Sequence, residues 1–290
     1  MKRKVTIREV ANLAGVSIST VSRVVSGSDI VKDSTVERVR EAIQKTGYRP
    51  NYNAQALAKS ATDTVCVVVD RSPTSSLGNT YFVDIIDAIA TELDSYEKDL
   101  LLAFTGRKEE DEQVRKLAES NKIDGVIKLS VTEHDRSLDY LAQNGIPTVV
   151  VGNPRGRNFL FVDNDNERAM YEATSYIIEQ GHKRIAFVAG AKEYVVTNDR
   201  LQGFQRAMEE SKIPYDENDL YFGDFTTESG YIVADKLFEK DYTAVASTDD
   251  LLAIGILQKA YEQGREMQAV GFNDSELGLM FQNQLSTVDI

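Results

Sequence analysis

The sequence predicts an all-α helix-turn-helix head followed by an α/β body of two doubly wound parallel-sheet subdomains. Three observations carry that expectation. Residues 5–25 have the pattern of two short helices around a tight turn, the charge reverses sign near residue 60, and strand and helix patterns alternate from residue 65 to residue 272. The head is expected over residues 1–47, a hinge helix or linker over 48–62, and the body over 63–290, with its two halves at about 63–163 and 164–290.

Residues 5–25 read VTIREVANLAGVSISTVSRVV. Ala11 is small enough to let a second helix approach, Gly15 permits the positive φ of a three- or four-residue turn, and Val21 fills the space between the helices. Thr6 and Glu9 form a T-x-x-E capping box, and Val10, Leu13 and Ala14 give the first helix its apolar face. Ser17 suits the N-cap of the second helix, whose first turn carries hydroxyls and no acid, so its positive dipole end is open to phosphate. Ser17, Ile18, Ser19, Thr20, Ser22 and Arg23 then lie on a surface that fits a DNA major groove, with Arg23 able to reach a guanine edge or a phosphate. An ordinary helical hairpin inside a larger core is the competing reading, and it leaves the Gly15 spacing unexplained.

Charge agrees with a nucleic-acid-binding end. Residues 1–60 hold 11 Lys and Arg against 5 Asp and Glu, a net +6, whereas the whole chain is −13, leaving −19 on the remainder. A basic head attracts phosphates, and an acidic body confines the contact to the head. The 290 residues have room for two or more domains with sizeable cores. Cys66 is the single cysteine, so no intrachain disulfide is possible, and it sits in an apolar run as a small hydrophobe. With only His134 and His182 besides, far apart in sequence, no zinc site or other cofactor is expected. No apolar signal region and no run of membrane-spanning length is evident, so a cytoplasmic protein is expected.

A third helix is expected from Asp33 to Thr46, with Val36, Val39 and Ile43 on one face and Gly47 ending it. The stretch from Tyr48 to Lys59 has Pro50 to open a helix but only Leu57 as a large aliphatic, and so short a helix does not hold alone in water. It reads either as a polar linker or as a hinge that turns helical on DNA with Leu57 wedged into the minor groove. Beyond it, strands are expected at 65–69, 100–104, 125–129, 147–151, 184–189, 220–222, 244–247 and 268–272. Helices are expected at 82–96, 109–120, 135–144, 166–180, 198–211, 228–239 and 251–263. Such alternation implies parallel sheets with right-handed crossovers and a ligand site beyond the carboxyl ends of the strands.

Several blocks, in order along nearly the whole chain, resemble the LacI/GalR family of bacterial transcription regulators. In the head these are Thr6-Ile7-Arg8-Glu9-Val10-Ala11, Ala14-Gly15-Val16-Ser17, Thr20-Val21-Ser22-Arg23-Val24 and Gly47-Tyr48-Arg49-Pro50-Asn51. In the body they are residues 181–187 (GHKRIAF), 200–204 (RLQGF), 249–255 (DDLLAIG) and 270–274 (VGFND). The resemblance implies a body like that of periplasmic binding proteins and a homodimer, or a pair of dimers, on a near-palindromic double-stranded operator. It also implies a small sugar-like effector bound in the cleft between subdomains, with no enzymatic activity. Ile18, Ser19 and Arg23 match base-reading positions. Ser17, Thr20, Ser22, Tyr48 and Asn51 match or neighbour phosphate contacts, and Thr6 is grouped with these DNA-facing residues. Leu57 matches the minor-groove wedge, with Ala54 close to the bases, which favours the hinge over the plain linker. In the body, Arg200 and Asp250 match a donor and an acceptor for the ligand, Phe225 an aromatic packed on it, and Tyr81 and Phe82 the opposite wall.

The chain departs from the family pattern in places. Gly152 stands where several sugar-responsive members carry Asp, the loop between Gly264 and Gly271 looks trimmed, and the chain stops at Ile290 where relatives continue, so a C-terminally shortened body is expected. Residues 161–166 and 285–290 resemble regulators of maltose and other α-glucoside use. The expected function is a repressor of carbohydrate-utilisation genes under allosteric control by a sugar. Competing readings are a sugar-binding transport protein, against which the basic head argues, and a regulator controlled by a protein corepressor. An enzyme lacks support from any G-x-S-x-G, P-loop or metal-ligand cluster.

Overall fold

The computed structural model describes residues 5–28, 30–49, 61–71, 80–106, 110–120, 122–281 and 285–290. It forms two compact units, Met1–Thr62 and Asp63–Ile290.

In the first unit, helices α1 (Ile7–Ala14), α2 (Ile18–Val25) and α3 (Asp33–Thr46) enclose a small core of Val10, Ala11, Ala14, Val21, Val39 and Ala42. The Thr6 backbone N–H donates to Glu9 Oε2 at 2.7 Å, which starts α1 as the capping pattern predicts. Gly15 ends α1 in the left-handed conformation, φ 65°, which costs any residue with a Cβ strain. That turn lets Val16 N–H return to the Ala11 carbonyl at 3.0 Å and brings α2 across α1, so that Val21 joins Val10, Ala11 and Ala14 in the head core.

Among the described residues, the second unit holds two five-stranded sheets whose strand pairings are parallel. In the first, β2 (Asp99–Gly106), β1 (Thr64–Arg71), β3 (Gly125–Lys128), β4 (Thr148–Val151) and β5 (Leu160–Val162) lie in that order. The unbroken apolar run in β1 is explained by burial on both faces. Cys66 and Val68 pack beneath α5 (Glu110–Glu119) and α6 (Arg136–Gln143), and Val67 and Val69 pack against α4 (Thr80–Ser95). In the second sheet the order is β10 (Leu285–Val288), β9 (Gln268–Phe272), β8 (Ala244–Ser247), β6 (Ile185–Ala189) and β7 (Leu220–Phe222). One face carries α9 (Thr227–Phe238) and α10 (Asp250–Glu262), the other α7 (Asn166–Glu179) and α8 (Val195–Glu210). No helix among the described residues is long and apolar enough to cross a membrane.

Strands β8 and β9 and helix α3 have the bounds read from sequence. Helix α8 does not: it begins at Val195, three residues before the expected Asn198. The reason is tertiary. Val195 is buried in the core of the first sheet and its N–H donates to the Val131 carbonyl at 3.0 Å, so the β-branched first turn is held by the other half of the body. Strands β5 and β10 carry too short a pattern to be read alone; both are edge strands defined by their neighbours, β5 by β4 and β10 by β9.

Candidate functional site

On the head, α2 presents the predicted polar surface. Ser17, Ile18, Ser19, Ser22 and Arg23 are exposed and Thr20 is half-buried. Ser17 Oγ accepts the Thr20 N–H at 3.1 Å and shares hydrogen bonds with Ser19 Oγ (2.7 Å) and Thr20 Oγ1 (2.8 Å). The three hydroxyls thus cluster at the positive end of the helix, where anions are favoured. Thr6 is exposed at the start of α1, and Tyr48, half-buried just past α3, packs against the head core. Asn51, Ala54 and Leu57 lie outside the described residues.

In the body, the carboxyl ends of β3, β4, β5, β7, β8 and β9 converge on a cavity of about 820 Å³. The strands deliver Val131, Asn153, Asp163, Phe225, Asp249 and Asn273 to its wall from the loops that follow them. Tyr81 and Phe82 reach it from the first turn of α4, with their rings edge-to-face at 5.3 Å, and Arg200 from α8. Phe225 stands edge-to-face with Tyr194 at 5.8 Å, and its ring occupies the space a Cβ at Gly190 would need.

Arg200 is held by burial, by a ring and by two hydrogen bonds. It is 5 % exposed and lies over the Phe272 ring, 3.8 Å from its centre. Its Nε donates to Asn166 Oδ1 at 2.9 Å and its Nη1 to the Thr248 carbonyl at 2.5 Å. Burial pushes its pKa down to about 10, opposed by the neighbouring Asp249, Tyr81 and Asp163, so the guanidinium keeps its charge at neutral pH. Asp163 accepts from Asn166 Nδ2 at 3.0 Å; burial and the charge of Asp199 raise its carboxyl above the ordinary value.

Of the five residues predicted for this cavity, Tyr81, Phe82, Arg200 and Phe225 line it and Asp250 does not. Asp250 is fully buried at the start of α10, where it accepts from the Ser275 N–H and Thr287 Oγ1, both at 2.8 Å. Its neighbour Asp249 is the one of the two that lines the wall. Asp249 is the N-cap of α10, accepting from Leu251 N–H at 2.7 Å and from Asn273 Nδ2 at 2.8 Å. The physical reason is the strand-to-helix turn: the cap residue is extended and faces the strand ends, whereas the first helical residue has already rotated into the core. A strand followed by Thr-Asp-Asp before an apolar helix holds that signal, since the first Asp is the better cap. Asn273 and Asp163 were also missed; both sit one residue past a strand end, the position from which such folds build their sites.

A helix-turn-helix head joined to an α/β body with a strand-end cavity defines the class of ligand-responsive DNA-binding regulators. Residues 62–283 match the family described as periplasmic binding proteins and sugar binding domain of the LacI family, and residues 6–51 match the bacterial regulatory proteins of the lacI family. The transcriptional regulator MalR of Streptococcus pneumoniae is 33 % identical over 274 residues, covering 93 % of this chain and 83 % of its own. A structure of the regulator CelR in complex with cellobiose superposes with a TM-score of 0.73 at 32 % identity, covering 99 % of this chain and 88 % of that one. The Lac repressor dimer bound to operator and the anti-inducer ONPF shares the fold, with a TM-score of 0.85 at 23 % identity over 99 % of this chain and 88 % of that one. The chain belongs to the LacI family of bacterial regulatory proteins.

Proposed function

We propose that this regulator is a cytoplasmic, homodimeric repressor of carbohydrate-utilisation genes that binds a near-palindromic operator through two heads and is controlled by a small sugar in the body cavity. The observation that carries this reading is the cavity wall itself. It sets a buried guanidinium, Arg200, and carboxylates, Asp163 and Asp249, among the aromatic rings of Tyr81, Phe82, Tyr194 and Phe225. Donor, acceptors and flat apolar faces together match a ligand whose hydroxyls both give and take hydrogen bonds and whose C–H faces are apolar.

In the head, Ile18, Ser19 and Arg23 read base edges while Thr6, Ser17, Thr20, Ser22, Tyr48 and Asn51 hold the phosphate backbone. Residues 1–47 form the DNA-binding domain, 48–62 the hinge in which Ala54 and Leu57 approach the minor groove, and 63–290 the sensor. The sugar acts by binding one arrangement of the two sheet-bearing halves better than the other, so operator affinity follows a population shift. The cellobiose bound by the CelR relative and the MalR name of another support a sugar as the effector.

The test is an electrophoretic mobility shift on DNA flanking the encoding gene, with and without neutral disaccharides. Selective retardation of one near-palindromic fragment, altered by a sugar, is expected. Equal retardation of all fragments, indifferent to every sugar, would discard the proposal.

A further inference from the structure

The charge and hydrogen-bond balance of the cavity goes further than the presence of a sugar site. Asp84, Asp163, Asp199, Asp249 and Asp289 line it, and Arg200 is the only cationic side chain among the described residues that do. Asp199 is matched by Arg155 at 2.5 Å, which leaves the wall around Arg200 still rich in carboxylate. Donors are committed inside the wall as well. Asn166 Nδ2 donates to Asp163, Asn273 Nδ2 to Asp249, and Arg200 gives its Nε to Asn166 and its Nη1 to the Thr248 carbonyl. The amides of Asn166 and Asn273 and two nitrogens of the Arg200 guanidinium are thus turned to the protein's own oxygens, and with the five carboxylates set against one guanidinium the wall is weighted toward acceptors. Its volume, about 820 Å³, lies toward the top of the ~300–1,000 Å³ range of small-molecule sites.

We propose that the cavity takes an uncharged saccharide of more than one ring and rejects sugars that carry phosphate or carboxylate, with Asp163 and Asp249 as the residues that set this selectivity. The proposal rests on the carbohydrate reading given above. A sugar hydroxyl donates its proton to a carboxylate and accepts from Arg200, so both kinds of wall group are used. A phosphate monoester only accepts at neutral pH and carries about −1.5 to −2 charges. It would set like charge against Asp163 and Asp249 in a partly dehydrated space, where charge repulsion is stronger than in water.

Isothermal titration of the full chain with matched pairs tests this: maltose and maltose 6′-phosphate, cellobiose and cellobiose 6′-phosphate, trehalose and trehalose 6-phosphate. At least one neutral member is expected to bind, with its phosphorylated partner weaker by ~10-fold or more. Asp163→Asn and Asp249→Asn keep their local hydrogen-bond acceptors, so they should narrow that gap, as should added salt. Retained circular dichroism and operator binding serve as the folding check. A phosphorylated member that binds as tightly as its neutral partner overturns the selectivity while leaving the sugar site standing. Absence of binding by every member of all three pairs overturns the carbohydrate reading and the selectivity with it.

Discussion

Arg155 Nη2 and Asp199 Oδ1 meet at 2.5 Å across the two halves of the body: Arg155 follows β4 of the first sheet and Asp199 stands on α8 above the second. Glu133 joins them at 3.3 Å from Arg155 and also accepts from Asn198 Nδ2 at 3.1 Å. Beside this cluster an antiparallel bridge links Thr132 to Tyr194. The two sheets are therefore held by a side-chain ion cluster and by backbone hydrogen bonds at the same place, next to the cavity wall that includes Asp199 and Tyr194.

Removing the ion pair should loosen that junction. With Asp199 13 % exposed and Arg155 29 %, its charge-assisted hydrogen bonds are partly shielded from water. Arg155→Ala and Asp199→Asn are each expected to lower body stability by ~1–3 kcal/mol, read as a shift in urea midpoint. The double variant should be less damaging than the sum of the two. Strictly additive losses would show that the pair contributes nothing as a pair.

Neighbouring aspartates should behave in opposite ways. Asp249→Ala is expected to weaken sugar binding markedly, with a cap loss of ~1 kcal/mol in stability. Asp250→Ala leaves the Ser275 N–H and the Thr287 hydroxyl without their acceptor and is expected to cost ~1–3 kcal/mol of stability. Calorimetric binding and thermal melting on both variants check the division. Equal effects on both readouts would refute the placement of Asp249 in the wall and Asp250 behind it.

Asp250 also predicts a pH dependence. Burial raises its carboxyl pKa above the ordinary 3.8, and the hydrogen bonds from Ser275 and Thr287 offset this only in part. The folded chain therefore holds this proton more tightly than the unfolded chain. The stability gained is full below the unfolded-state value and is lost as pH rises through the raised folded-state value. Asp250→Asn has no such proton to lose. In melts from about pH 3 to neutrality, wild type is expected to lose ground relative to Asp250→Asn as pH rises. A constant difference between the two would contradict the raised pKa.

Gly15 offers a test of the head alone. A Cβ there would meet no atom within 4 Å, so Gly15→Ala adds only the strain of a left-handed φ of 65°. The expected cost is ~1–2 kcal/mol, seen as weaker operator retention at elevated temperature with sugar binding by the body unaltered. If operator binding in the variant matched wild type across the melting range, the turn would not be under this constraint.

Much of this was legible along the chain because its causes are local. The Thr6–Glu9 box, the Ser17 cap and the Gly15 turn each involve residues at most five apart, and each is present in the head. The run of Val65 to Val69 announced a strand buried on both sides, and Arg200, Phe225, Tyr81 and Phe82 follow from their match to positions of the family pattern. Asp249 and Asp250 read together as a carboxylate pair for the ligand, but which of the two faces the cavity was not legible, because they differ by one step of backbone rotation at a helix start.

Sequence by itself determined the element types apart from the edge strands β5 and β10, the helix-turn-helix head, the charge division and the family, since these follow from nearest-neighbour preferences and periodic burial. Tertiary structure alone decided which carboxylate faces the cavity, that Asn273 and Asp163 join it, that α8 starts at Val195, and that Arg155 reaches Asp199. Those features depend on where strands far apart in the sequence, from β3 to β9, end relative to one another, and no local preference encodes that distance.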